Sequence, residues 1–202
     1  KARYRHQVWV IDGRRLDFAL DGVHWWSLIL LEGSSRTMLA GMIAPTEYSE
    51  IITAPDNPVD PDFTVRFARA HEDAGFDRIL IGWFSSAPDG FIIASWVLAN
   101  TTRLKVLLAH RPGFAAPTVA ARQLATLDQF SGGRLAVHII TGGSDVEQRR
   151  DGDYLDHDER YDRTDEYLTV LRRSWTSSEP FSYDGRHYRF EDYASGVLPY
   201  AD

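Results

Sequence analysis

From about Leu39 onward, short apolar runs alternate with longer stretches whose apolar residues recur at helical spacing. Strand–helix units around a parallel sheet impose that rhythm, because each strand is buried on both faces while each covering helix buries only one. Four such units are legible. The first strand is Leu39–Ala44; after a proline-rich loop its helix opens with Asp60 as N-cap and Pro61 at the first position, carries Phe63, Phe67, Ala70 and Ala74 on one face, and ends at Gly75. The second strand, Asp77–Gly82, precedes a helix over Asp89–Asn100, and the third, Leu104–Ala109, leads into a helix from Pro117 that turns Leu124, Leu127 and Phe130 inward and stops at Ser131-Gly132-Gly133. The fourth, Arg134–Ile140, runs into Thr141-Gly142-Gly143 and an acidic loop. Asp156 and Glu159 then stand at capping-box spacing before a helix through Tyr161, Leu168, Leu171 and Trp175.

Both ends break the rhythm. Beyond Pro180, two aromatic-rich runs flank Asp184-Gly185, the pattern of a β-hairpin. Before Met38, short strands are expected at Val8–Asp12, Arg15–Leu20 and Val23–Leu31, so residues 1–38 read as an N-terminal extension to a domain over 39–202.

Composition narrows the function. A chain of 202 residues with 44% apolar content has material for one globular core, and the absence of a long apolar run or a signal-peptide pattern makes a cytoplasmic location the default expectation. With no cysteine, thiolate metal sites and thiol nucleophiles are excluded, so redox chemistry has to come from a cofactor. A net charge of −7 with both signs scattered argues against nucleic acid and for a small-molecule partner. Asp156, His157 and Asp158 are better explained as cap and first-turn residues than as metal ligands, and His71-Glu72, without a second histidine in place, reads as a solvated helix face.

Several motifs stand in order along the chain: Ala109-His110-Arg111-Pro112-Gly113, Pro117-Thr118, Ala125-Thr126-Leu127-Asp128, Gly132-Gly133-Arg134-Leu135, Thr141-Gly142-Gly143, Gly152-Asp153, and Leu155-Asp156-His157-Asp158-Glu159-Arg160-Tyr161. In this order they resemble the bacterial luciferase-like flavin monooxygenases, nearest their alkanesulfonate branch, over roughly Met42 to Tyr193. The resemblance implies an α/β fold of TIM-barrel type, with about four of the eight βα units present and a C-terminal hairpin, so the chain looks like the N-terminal part of that fold. It further implies reduced FMN supplied by a separate flavin reductase, dioxygen as co-substrate, and an alkanesulfonate as the molecule oxygenated. Open sheet edges point to a homo-oligomer without membrane attachment. The alternatives are a luciferase-like oxidoreductase on another substrate, a deazaflavin hydride carrier, and a flavin-binding fragment without activity.

The same resemblance nominates the site. Thr141, Gly142 and Gly143 border the flavin, His138 meets its polar edge, and Arg160 and Tyr161 reach its phosphate at a helix N-terminus. His110 and Arg111 are the catalytic candidates, the arginine either stabilising an anionic flavin or holding a neighbouring acid. Trp83 and Phe84 line a substrate pocket or pack beneath a loop. Where the alkanesulfonate enzymes carry a cysteine, this chain has Ala87.

Overall fold

A computed structural model describes the backbone of residues 9–20, 23–32 and 38–45 and the whole of residues 59–200. Contacts divide the chain into two compact units, Lys1–Ile79 with Trp96–Lys105, and Leu80–Ser95 with Val106–Asp202.

In the first unit, strands β1 (Trp9–Leu20), β2 (Val23–Glu32) and β3 (Met38–Pro45) form an antiparallel sheet in that order. The strand expected at Leu39–Ala44 is therefore present, but it pairs antiparallel with β2, Ile43 opposite Ser27, and is not part of the parallel sheet. A short apolar run looks the same in either kind of ladder, since the hydrogen bonds that choose the partner come from the backbone. Helix α1 (Pro61–Asp73) starts where cap chemistry dictates: Asp60 Oδ1 accepts the Phe63 amide at 2.8 Å. Its inward face differs from the expected one. Ala68, His71 and Glu72 are buried, whereas Ala70 and Ala74 are exposed. Glu72 is buried because its carboxylate accepts the backbone amides of Thr102, Arg103 and Leu104. Burial alone would raise its pKa, yet those amides hold it below the ordinary carboxylate value.

The three-stranded sheet β4-β5-β6 is formed by Arg78–Ile81, Lys105–His110 and Leu135–Ile139, and all of it but Arg78, Ile79 and Lys105 belongs to the second unit. Strands β5 and β6 are parallel, with Ala109 opposite His138. Helix α2 (Gly90–Asn100) follows β4, and Asp89 Oδ1 accepts the Ile92 amide at its start. Between β5 and β6 lies α3 (Pro117–Ser131), which ends at Gly132 in the left-handed region, φ 66°. The acidic stretch after β6 is not all loop: Ser144 caps a short helix, α4 (Asp145–Arg150). Helix α5 (His157–Thr176) opens with the expected capping box, Asp156 and Glu159 each bonding the other's backbone.

Helices α3 and α5 pack against each other, and Ala120, Ala121 and Leu124 of one and Tyr167, Val170 and Leu171 of the other are nearly inaccessible. Trp175 Nε1 donates to the Ala121 carbonyl at 3.1 Å. Phe130, expected inward, is 87% exposed; at 3.6 residues per turn the ridge through Ala120 and Leu124 continues to Ser131 instead. The hairpin of β7 (Phe181–Asp184) and β8 (Arg189–Tyr193) is antiparallel, with Phe181, Phe190 and Tyr193 in mutual edge-to-face contact. Glu166 of α5 accepts the amides of Arg186, His187 and Tyr188 from its turn. Among the described residues, no helix is long and apolar enough to cross a membrane.

Candidate functional site

Parallel strands that end together leave their following loops side by side, and in α/β folds that end of the sheet holds the chemistry. In the second unit the chain leaves β4, β5 and β6 beside a cavity of about 900 Å³. Its floor is apolar, with Leu80, Ala109, Ile139 and Ile140, and Trp83 and Phe84 add aromatic surface from the segment after β4. Trp83 also stacks on Phe114 with ring centroids 5.7 Å apart, so it both packs and lines.

Of the residues nominated from sequence, Arg111, His138, Thr141, Gly142, Gly143 and Tyr161 line this cavity together. His138 shares the cavity side with Ala109, its register partner, because residues opposite each other in a ladder point to the same face. His110, one residue along from Ala109, does not line the cavity and meets α5 instead, its Nε2 sharing a 2.5 Å hydrogen bond with the Tyr167 hydroxyl. Burial holds its pKa down to about 4 and pushes that of Tyr167 well above the usual phenol value. His110 is thus a neutral, enclosed imidazole. Arg160 is also away from the cavity. It is 2% exposed, donates to the Leu155 carbonyl at 2.8 Å and pairs with Asp145 at 2.9 Å, joining α5 to α4.

Arg111 sits in a built network. Its guanidinium donates to Gln148 Oε1 at 3.0 Å and to Glu147 Oε2 at 3.3 Å, while Glu147 Oε1 accepts the Ser85 amide at 3.1 Å. Gln148, fully buried, donates in turn to the Thr141 carbonyl at 2.8 Å. Two residues of α4 therefore tie together the segments that follow β4, β5 and β6. Gly142 is required at its position: φ is +87°, and an added Cβ would run into the Gln148 carboxamide. Gly143 has nothing within 4 Å of an added Cβ and leaves backbone open to the cavity.

Sequence reasoning did not single out Glu147, Gln148, Thr164 or Asp165. The α5 residues among them carried a readable signal, because His157, Tyr161, Thr164, Asp165 and Leu168 all line the cavity and recur at the spacing of one helix face. Glu147 and Gln148 carried none, being polar residues in a stretch that reads as loop. A buried pair braces the same region: Arg163 bonds both carboxylate oxygens of Asp153. Burial alone would raise the Asp153 pKa, but Arg163 and the Leu155 amide hold it below its ordinary value.

The family model for luciferase-like monooxygenases matches residues 37–199. Among solved structures, the chain is similar to monooxygenase RslO1 from Streptomyces bottropensis, 25% identical with a TM-score of 0.61, over 70% of this chain and 44% of that one. It shares its fold with the oxygenating constituent of 3,6-diketocamphane monooxygenase from Pseudomonas putida, solved in complex with FMN, at 18% identity and a TM-score of 0.62 over 69% of this chain and 43% of that one. It also shares it with an F420-dependent secondary alcohol dehydrogenase, at 21% identity and a TM-score of 0.63 over 72% of this chain and 47% of that one. The chain thus spans less than half the length of each of these structures.

Proposed function

Because the chain belongs to the luciferase-like monooxygenase family, we propose that it serves an FMN-dependent monooxygenase, which uses reduced flavin from a separate reductase and dioxygen to oxygenate a small organic substrate. The observation that carries this reading is the convergence of Thr141, Gly142, Gly143 and Tyr161 on one apolar-floored cavity. Those residues fit a flavin. A planar ring needs close approach to backbone, which the Gly142-Gly143 segment permits, and apolar surface against its faces, which Leu80, Ala109 and Ile140 provide. His138 offers one donor or acceptor to a polar ring edge. On the α5 side, the Tyr161 hydroxyl is the group to meet a phosphate, because Tyr161 lines the cavity near the start of that helix.

Reduced flavin supplies the activation of dioxygen; the chain's own residues position it and keep water away. Arg111 acts here by anchoring Glu147 and Gln148, and through Gln148 it sets the Thr141-Gly142 backbone. The motif resemblance names an alkanesulfonate as substrate, and that class has no local residue behind it. The similarity to an F420-dependent enzyme favours a second reading, in which a deazaflavin passes hydride. Titration of the protein with FMN and with F420, followed by flavin fluorescence, separates the two. Quenching and saturation by FMN is the expected result; saturation by F420 alone would overturn the FMN reading in favour of the deazaflavin.

A further inference from the structure

Arg111 is the only arginine or lysine among the described residues that line the cavity. Left to itself it would attract an anion, as a sulfonate-binding site requires. Its surroundings have the opposite effect. Nη2 lies 3.3 Å from Glu147 Oε2, Nη1 lies 3.9 Å from Asp151 Oδ2, and Gln148 Oε1 takes a hydrogen bond from Nη1 at 3.0 Å. Two carboxylates face one guanidinium whose side chain is 3% exposed, and Asp165 brings a further carboxylate to the wall from α5. An anion approaching Arg111 has to displace Glu147 or accept its repulsion, and poorly solvated surroundings strengthen that repulsion.

Resting on the flavin monooxygenase reading, we propose that Glu147 is a specificity-determining residue, cancelling Arg111 so that this wall selects an uncharged, apolar substrate and rejects anionic ones, sulfonates included. The aromatic surface of Trp83 and Phe84 suits such a molecule. Glu147 has a second contact, the Ser85 amide, which needs an oxygen and not a charge. Glutamine at this position keeps that hydrogen bond through its one carbonyl oxygen, and its NH2, which cannot accept from Arg111, replaces the charged oxygen, so the repulsion goes together with the Arg111–Glu147 bond. E147Q therefore removes the charge while keeping the tie to the segment after β4, and Gln148 still holds Arg111.

The test is calorimetric binding of n-octanol and n-octanesulfonate, equal in chain length and different in head-group charge, to the wild-type protein, E147Q and E147Q/D151N, alongside an FMN titration. Wild type should bind the alcohol at least about tenfold more tightly, roughly 1.4 kcal/mol. E147Q should tighten sulfonate binding by on the order of tenfold, with the double variant going further and the alcohol changing by no more than about twofold. Equal affinity of wild type for the two ligands would overturn the proposal, a result that needs no variant to fold. So would a folded E147Q whose preference is unchanged. Failure to bind FMN with the alcohol preference intact would remove the flavin reading and support the role of Glu147, whereas sulfonate preference with FMN bound would remove that role alone.

Discussion

Burial holds the His110 imidazole at a pKa of about 4, against an ordinary value of 6.5, so the unfolded chain takes up this proton before the folded one does. Its contribution to stability is whole above pH 6.5 and is lost as the pH falls towards 4, at most about 3 kcal/mol. Chemical denaturation between those limits should show the slope, and His110→Gln should flatten it; an NMR titration with an ordinary pKa would refute the assignment. The two glycines of the cavity loop should also part company. Gly142→Ala meets both a left-handed backbone and Gln148, and should cost about 1–3 kcal/mol of stability. Gly143→Val has open space, so thermal melts should place its stability within about 0.5 kcal/mol of wild type while FMN affinity falls. Unchanged flavin affinity would mean that the backbone at Gly143 is not approached. Arg111, His138, Thr141, Gly142, Gly143 and Tyr161 were legible through the family resemblance, since a glycine pair after a strand reads by itself as a plain turn. The facing of His110 was not, since a one-residue change in strand phase exchanges the two sides.

At the scale of elements, helix ends were the most readable features, because Asp60, Asp156 and Gly132 act on the nearest turn and need no knowledge of the rest of the chain. Asp156→Ala should cost about 1 kcal/mol by removing one half of the capping box. Helix faces were harder. The sequence reading treated Leu124 and Phe130 alike, yet one is 2% exposed and the other 87%. Leu124→Ala should destabilise by about 2–5 kcal/mol, and Phe130→Ser by no more than about 0.5 kcal/mol. Equal effects would mean that α3 is turned differently about its axis. Glu72 defeated the pattern for another reason, since a carboxylate that satisfies backbone amides can be buried where hydrophobicity predicts solvent.

For the molecule as a whole, the strand order β4-β5-β6 leaves β6 with no strand on its far side among the described residues. Such an edge offers unpaired amides and carbonyls to another chain, so the 202-residue protein should self-associate, and light scattering on a sizing column checks it. A monomer at micromolar concentration would show that this edge is covered. How the chain continues the sheet could not be read from alternating apolar runs, which mark strands without naming their neighbours. The hairpin beyond α5 is a different case. Glu166 grips its turn through three consecutive backbone amides, and a grip of that kind is blind to side-chain identity. A substitution at Arg186 then gives up its exposed pairs with Glu159 and Asp162 but leaves that grip in place, unless the newcomer is proline, which alone lacks the hydrogen that Glu166 holds.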